Sequence, residues 1–438
     1  MKTILRYVLK AVLFVAGFYL ACHLAAFFVR KDAQSYARVM MHELHDTSEN
    51  IDILFLGASH TEHAANPFVA SEIFGKNAFN AGTGSQRLPA SFALLKEAAS
   101  LHHLERVFLD LDIATCDVGR YNSGRVTEAE FLITNYMKNK RAKVECLMSF
   151  SAPKYYPELL LPIARGNLIC TDPREIVKNI YLKCTGRYYA YEYPQVPPRV
   201  YAGKGYVYDT RSIPDNGFID DERETPFDPS LDFSEWERYL HKIAAFCKEE
   251  GITLTLFSFP ENQFYIFDKG DYDEYISFVK SVAAKDGLDF YDFNLCKAEY
   301  LELKDSDFYD RNHLNGNGAE KFMRVFSRFF TGQLGDDIFY ASYAQKMESV
   351  PERIYGIIVE EYADKSGFRI VPATNGKTSA SRITYDFSYE AGGKTEVISR
   401  GGTEPVVAYP SGTSGELHIT SYLDGVVQNK VSRHFNTF

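Results

Sequence analysis

The stretch from residue 51 to 63, IDILFLGASHTEH, constrains the fold of this chain most. Its apolar run, residues 51–56, is typical of a short strand that is buried on both faces of a parallel sheet. Gly57 ends the run and permits a sharp turn, because it has no Cβ that could clash. Ser59 therefore follows the carboxyl end of a strand, where open α/β sheets bind ligands. A hydroxyl at that place is a candidate nucleophile if a base can reach it.

Strands and helices alternate over two parts of the sequence. The predicted elements are strands at 51–56, 77–80 and 106–113 with a helix at 86–100, then helices at 233–250, 272–286 and 318–330 with strands at 252–259 and 288–293. This alternation predicts parallel strands joined by right-handed crossovers, and hence an α/β domain over residues 50–335.

Residues 119–235 do not follow this alternation, and we interpret them as an insertion near the mouth of the site. The predicted pieces within it are helices at 128–137 and 172–182 and a loop or hairpin at 204–206. The insertion either supplies substrate contacts or packs over the sheet, and the sequence does not decide between these two roles.

The character of the sequence changes near residue 340. Short β-like runs follow, and Gly, Ser, Thr and Pro separate them. Regular short strands with such turns predict a small antiparallel β-sandwich over residues 340–438. No catalytic group of residues is visible there, so we interpret it as a binding or spacer module.

Residues 11–29 carry no charge, and as a helix they would reach about 28 Å, close to the thickness of a hydrocarbon core. Basic residues flank this stretch. We predict a transmembrane anchor over residues 1–31, with a cytoplasmic N-terminus and the bulk of a single-pass cell-membrane protein outside. A cleaved signal peptide is the alternative. Residues 32–49 are predicted to form an amphipathic helix or juxtamembrane stalk, with His42 and His45 in solvent.

Charge and cysteine usage exclude other classes of protein. The net charge is −10 and no long basic run occurs, which argues against a nucleic-acid partner. The seven cysteines form no CxxC pair and no zinc spacing, so we expect no metal centre of that kind. Their scatter is not that of a disulfide framework, although Cys170 and Cys184 could bridge in an exported protein.

Acyl transfer through serine requires an activated hydroxyl, a base held by an acid, and donors for the oxyanion. Ser59 could supply the hydroxyl. The segment DRNHLN offers His313 as the base and Asp310, three residues earlier, as the acid, provided that the loop folds back on itself. The backbone N–H groups of Ser59 and of Gly84 or Gly82 are candidate oxyanion donors, because glycine lets a backbone approach closely.

Each of these residues also has a plainer interpretation. Ser59 could cap the helix that follows it, since serine is favoured at that position. His313 could be a structural histidine, and Asp310 could cap a turn. His60 and His63, three residues apart, could chelate a metal, but no carboxylate or cysteine partner is evident in the sequence, so we predict none.

Three motifs together resemble the SGNH/GDSL hydrolase superfamily: GASHT after the first strand, NAGTGS after the second, and DRNHLN before the last helix. With the N-terminal anchor, the chain is most similar to the membrane-anchored extracytoplasmic branch, which includes relatives of the teichoic-acid D-alanyl transfer protein and of polysaccharide O-acetyltransferases. The resemblance covers roughly residues 50–330. It implies a flavodoxin-like sheet in the order 2-1-3-4-5, with Ser59 as nucleophile, His313 as base, Asp310 as orienting acid and Gly84 in the oxyanion hole.

One feature departs from that superfamily, which usually has an asparagine after the third strand as a further oxyanion donor. This chain has Asp112 there, and an ionised carboxylate accepts hydrogen bonds but cannot donate them. Either Thr115 or another group substitutes, or the hole has two donors. The loss of one donor typically lowers the rate about 10²–10³-fold, which disfavours a fast hydrolase and leaves a slow transferase. We assign His60 and Asn315 to substrate binding.

The expected function is therefore that of a membrane-anchored extracytoplasmic serine esterase or O-acyltransferase. It would act on acyl groups, first of all acetyl groups, of a cell-surface glycan or acylated polymer, and it would need no cofactor. The alternative is a catalytically weak glycan-binding or scaffold subunit of a cell-surface acylation system. In a third role, the chain would partner a multispanning membrane acyltransferase.

Overall fold

Helices and strands alternate along most of the chain. The computed structural model describes residues 2–435, except for positions 34, 117, 151, 194, 196, 215–216, 222, 271, 363–366 and 409–413. The helices are α1 Lys2–Val29, α2 Tyr36–Asp46, α3 Ser59–Ala64, α4 Pro67–Phe74, α5 Leu88–Ala99, α6 Val118–Asn122, α7 Glu128–Thr134, α8 Lys140–Met148, α9 Tyr156–Leu160, α10 Pro173–Cys184, α11 Ser234–Glu249, α12 Gln263–Lys269, α13 Tyr272–Ala284, α14 Gly316–Phe330 and α15 Tyr343–Ser349. The strands are β1 Ile53–Leu56, β2 Ala78–Asn80, β3 Arg106–Asp110, β4 Arg199–Gly203, β5 Tyr206–Asp209, β6 Ile219–Asp220, β7 Thr253–Ser258, β8 Phe290–Asp292, β9 Ile354–Glu361, β10 Gly367–Thr374, β11 Ile383–Ala391, β12 Lys394–Gly402, β13 Val406–Ala408, β14 Gly415–Leu423 and β15 Val426–Phe435.

The predicted α/β sheet is present, and β1 lies inside it. Leu54 of β1 pairs in parallel with Phe79 of β2 on one side and with Val107 of β3 on the other. The strand order is β2-β1-β3-β7-β8, which is 2-1-3-4-5 when the five strands are numbered along the chain. All four residues of β1 are buried, as a strand covered on both faces requires.

Helix α11 shows how the apolar pattern sets the packing. Its buried residues lie on one stripe and include Trp236, Leu240, Ile243 and Cys247. Cys247 is therefore a small core residue. Gly251, with φ +71°, follows the helix in the left-handed conformation that glycine adopts without strain.

The chain divides into two units. The first contains residues 1–208 and 231–256, and the second contains residues 209–230 and 257–438. This division differs from the predicted boundary near residue 335, because the C-terminal β-region groups with the second part of the α/β region. The physical reason lies within the second unit, where Phe264 packs in one apolar cluster with Tyr355 and Ile358.

The predicted C-terminal β-sandwich is present in the second unit. One sheet has the order β13-β10-β9-β6 and the other β12-β11-β14-β15. Ile357 and Ile370 of the first sheet share a buried core with Phe387 and Ile419 of the second. The printed pairings among β9 to β15 are all antiparallel, as predicted for residues 340–438. The insertion adds one short strand that the prediction did not include, β6, which pairs in parallel with β9.

The N-terminal helix α1 is long and apolar enough to cross a membrane, as an anchor or as a signal sequence. Of the two alternatives predicted for residues 32–49, the structure shows the amphipathic helix: α2 packs into the first unit and buries Met40 and Leu44. His45 is not in solvent either: its Nε2 lies 2.7 Å from a carboxylate oxygen of Glu97. Burial alone would raise the pKa of Glu97, but this contact and two backbone N–H donors outweigh it and lower the pKa.

Parts of the insertion follow the prediction. Helices α7 and α10 occupy the two predicted helical stretches, and β4 and β5 form the predicted hairpin. All seven cysteines are free, so the alternative of a Cys170–Cys184 bridge is wrong.

Candidate functional site

Ser59 lies where the sequence predicts it, at the first residue of α3 and just past the carboxyl end of β1. A Cβ at Gly57 would lie 2.1 Å from Oγ1 of Thr61 and 2.7 Å from Cβ of Asp110, so only glycine fits this turn. The other residues of α3 are buried, whereas Ser59 is half-buried. Ala58 occupies the helix cap position, so the interpretation of Ser59 as a cap is wrong.

The carboxylate of Asp112, two residues after β3, contacts a side chain of α3. Asp112 is buried, and its Oδ2 lies 2.5 Å from Nδ1 of His60. Its Oδ1 accepts the backbone N–H of Thr115, whose hydroxyl donates back to the Asp112 carbonyl. Neither Asp112 nor the Thr115 hydroxyl therefore replaces the missing asparagine donor. His60 is buried in the same network, which contradicts its assignment to substrate binding.

This region also contains the donor types of a cation site. Ligand atoms of His60, Asp110 and Asp112 lie within 4.8 Å of one another, and all three residues are buried. Imidazole and carboxylate groups are common ligands of divalent metals. However, the Thr61 hydroxyl donates to Asp110 and Asp112 accepts two hydrogen bonds, so the contacts describe a hydrogen-bonded network. No His60/His63 chelate is predicted from the sequence, and in the structure Nδ1 of His63 contacts the carbonyl of Val207 instead of converging with this cluster.

The glycine loop after β2 is anchored by two side chains that sequence reasoning missed. Oδ1 of Asn80 accepts the N–H of Gly82 at 2.8 Å, and the hydroxyl of Tyr36 accepts the N–H of Gly84 at 3.1 Å. The same hydroxyl donates to Glu62, and burial together with that carboxylate raises the pKa of Tyr36 well above its usual value. The predicted oxyanion donor Gly84 is therefore already bonded within the chain, which corrects that assignment.

In the second unit, the segment DRNHLN folds back on itself as the prediction required. The Tyr309 N–H donates to the carbonyl of His313 at 3.0 Å and closes the loop. Nδ1 of His313 lies 2.9 and 3.0 Å from the two carboxylate oxygens of Asp310. With Nδ1–H donated to the carboxylate, Nε2 is the atom that can accept a proton. The Tyr309 ring stacks on the imidazole with centroids 5.2 Å apart.

The carboxylate of Asp310 is held in its ionised form. Burial would raise its pKa, but the His313 ring and the backbone N–H groups of Asn312 and His313 donate to it, and the net effect lowers the pKa. An ionised acid that is hydrogen-bonded to an imidazole is the arrangement that orients a general base.

Asn315 has a structural role. Its Oδ1 caps α14 by accepting the N–H groups of Asn317 and Gly318, and its Nδ2 donates to the carbonyls of Arg211 and Ser306. The side chain is buried and uses all its donors and acceptors within the chain. The assignment of Asn315 to substrate binding is therefore wrong. An asparagine directly before a helix is itself a cap signal.

The predicted catalytic residues are thus divided between the units: Ser59 belongs to the first, and Asp310 and His313 belong to the second. Within the first unit, Ser59 lies on α3, the helix that also carries His60 and that packs against Gly82 of the glycine loop. Within the second unit, Asp310 and His313 form a bonded pair.

Comparisons with known proteins add little to this description. A protein-family model without a functional description matches residues 224–335. A search of curated proteins finds no match. A solved structure of a proposed platelet activating factor from Streptococcus pneumoniae is 12% identical, with 72% of this chain and 96% of that chain covered and a TM-score of 0.30. A gut microbial diltiazem-metabolizing enzyme is 12% identical, with 90% and 73% covered and a TM-score of 0.25. At TM-scores this low, neither likeness bears on the fold or function of the chain.

Proposed function

We propose that this chain is a membrane-anchored serine esterase or O-acyltransferase of the SGNH type, which acts outside the cytoplasm on acyl groups of a cell-surface glycan. The observation that carries the proposal is the Asp310–His313 pair, with its ionised carboxylate and its proton-accepting Nε2. Ser59 at the carboxyl end of β1 supports it, because a half-buried hydroxyl at that place is accessible to a substrate.

The reaction follows the two-step logic of acyl transfer. Oγ of Ser59 attacks the acyl carbonyl, and its proton passes to Nε2 of His313. The C–O bond to the glycan oxygen then breaks, and that oxygen takes the proton from the imidazolium. Water or a sugar hydroxyl next attacks the Ser59 ester, and His313 accepts the proton of the attacking group. The bond between Oγ of Ser59 and the acyl carbon then breaks, and Oγ takes the proton back from the imidazolium. The acyl group leaves on the attacking oxygen.

The test uses the full chain in detergent with p-nitrophenyl acetate. We expect Ser59→Ala to lose turnover, and Ser277→Ala, an exposed serine of α13, to retain it. A fluorophosphonate probe should label Ser59 in the wild type. Equal turnover in the wild type and Ser59→Ala would contradict the proposal, since catalysis requires the Ser59 hydroxyl to meet the His313 ring.

A second candidate is a glycan-binding or scaffold subunit with weak catalysis, for instance beside a multispanning acyltransferase. The occupied N–H of Gly84 and the position of Asp112 favour it, because they leave fewer oxyanion donors. It predicts that the His313→Ala variant retains glycan as well as the control variant His418→Ala does, where His418 is a half-buried histidine of β14. It also predicts that no probe labels Ser59. Co-purification in detergent with a membrane acyltransferase would identify the partner.

A further inference from the structure

The last turn of α1 is held by side chains from the insertion. Nδ2 of Asn179 donates to the carbonyls of Phe28 and Arg30 at 2.5 and 2.8 Å. Lys183 donates to the Arg30 carbonyl at 3.0 Å and pairs with the buried carboxylate of Asp32 at 2.6 Å. The terminal carbonyls of a helix need partners, and here the protein supplies them in place of water. The end of α1 is therefore part of the first unit.

This arrangement places part of the first unit at membrane depth. The uncharged residues 11–29 span about 28 Å, which matches a hydrocarbon core of about 30 Å. Residues 22–29, the last 12 Å or so of that span, are half-buried, except that Ala26 is fully buried and Leu24 is 59% exposed. The elements in contact there are α10 and the short turn Pro162–Ala164, which follows α9. A bilayer that covers the whole uncharged stretch also reaches these elements.

The same elements expose large apolar side chains. Leu160 of α9 is 59% exposed, Ile163 in the turn is 42% exposed, and Val177 of α10 is 67% exposed. Tyr181 and Tyr189 are exposed beside them, and tyrosine is enriched where membranes meet water. Soluble surfaces rarely group such residues, and large exposed apolar patches mark interaction sites.

Cationic side chains border this surface. Lys31 and Lys178 line one cleft of about 220 Å³ beside the end of α1, together with Glu175. The guanidinium of Arg187 lies 5.8 Å from the centre of the Tyr181 ring. Cations at this depth suit the phosphate groups of lipid headgroups.

We propose that α9, the turn Pro162–Ala164 and α10 form a membrane-binding face, which lies in the interface of the bilayer that α1 spans. Its occupant is phospholipid, because the face is continuous with the anchor and its apolar residues are bordered by cations. The inference rests on the proposed retention of α1 as an anchor, and it does not depend on the chemistry of Ser59. It gives the first unit a fixed orientation on the membrane.

The test places tryptophan on the face of the full chain, in phosphatidylcholine vesicles whose acyl chains carry bromine near the headgroup. The variants are Val177→Trp and Leu160→Trp, and the fully buried Trp236 of the wild type gives the background. Phe14→Trp in α1 is the positive control, and Phe68→Trp, an exposed residue of α4, is the matched control. An interfacial face is immersed by about 5–10 Å, so we expect about twofold quenching at positions 177 and 160 and none at 68.

The other outcomes separate the possible failures. Quenching at position 14 but not at 177 and 160 would overturn the membrane-binding face while leaving the anchor, and would point to a protein on that surface instead. No quenching at position 14 would overturn the anchor and the face together. Quenching at position 68 equal to that at positions 177 and 160 would show that the protein adheres to the vesicle without a specific face, and would also overturn the inference. Ester hydrolysis is a separate measurement in each case.

Discussion

Asn80 is the buried residue whose replacement should affect the first unit most clearly. Its Nδ2 donates to the carbonyls of Thr61 and Ala65 at 2.6 and 2.9 Å, and its Oδ1 accepts the N–H of Gly82. The side chain has no solvent exposure. Its Nδ2 also lies 3.4 Å from the carbonyl of Glu62. Asn80 therefore links α3, which begins with Ser59, to the glycine loop, and Asn80→Ala removes all four contacts at once.

The expected loss of stability depends on which partners of Asn80 keep another hydrogen bond in the variant. The Thr61 carbonyl still accepts the N–H of Ala65, so it keeps a partner in the variant. The Gly82 N–H and the Ala65 carbonyl lose the hydrogen bonds that Asn80 provides. A buried polar group left unsatisfied costs about 1–3 kcal/mol, so we expect the free energy of unfolding to fall by about 3 kcal/mol.

The assay is urea unfolding of the full chain in detergent, followed by the fluorescence of Trp236. This single tryptophan is fully buried in α11 of the first unit, so it reports the unit that is altered. Asn77→Ala is the matched control, because the side chain of Asn77 is half-buried near the surface and bonds the Asn50 carbonyl and the Lys204 ammonium group. Surface substitutions usually stay within about 0.5 kcal/mol. Equal losses for Asn80→Ala and Asn77→Ala would refute this reasoning.

Four further predictions concern the residues around Ser59 and His313. Gly82→Ala should lower the thermal midpoint, because its Cβ would lie 2.6 Å from a neighbouring side-chain carbon, whereas Gly84→Ala, whose nearest contact is 3.6 Å away, should melt like the wild type. Asp310→Asn should lower turnover of p-nitrophenyl acetate about 10³–10⁴-fold at neutral pH, because the amide favours the wrong tautomer of His313; an unchanged rate would contradict the base role. Because the pKa of Asp310 is lowered in the folded chain, its contribution to stability is present at neutral pH and lost as the pH falls through that value, so the stability difference between wild type and Asp310→Asn should shrink in acid unfolding titrations. Asn315→Ala should lower the stability of the second unit by about 1–2 kcal/mol through the lost cap, measured by thermal unfolding, and an increased KM with unchanged stability would restore its predicted contact with substrate.

The sequence predicts the features that depend on local patterns. The apolar run before Gly57 marks β1, and the turn residues around Asn312 allow the loop of His313 to fold back. The alternation of strand and helix is sufficient for a parallel sheet. These signals lie within a few residues of the element that they describe.

Contacts between distant segments could not be predicted in this way. Tyr36 reaches Gly84 across 48 positions, and no pattern in either segment indicates the partner. The amphipathic pattern of α2 shows that it has an apolar side, but not that the side is buried in the first unit. The two-residue strand β6 is too short to show a period, so its parallel pairing with β9 appears only in the structure.

The place of β7 next to β3 has a consequence for biosynthesis. The Thr253 N–H donates to the carbonyl of Glu105, so one edge of β3 is completed by residues made about 140 positions later. At a synthesis rate of about 5–20 residues per second, this edge of β3 stays unpaired for roughly 7–30 s during translation. An unpaired strand edge invites association with other chains. We therefore expect the nascent polypeptide to depend on chaperones until translation passes the middle of the gene.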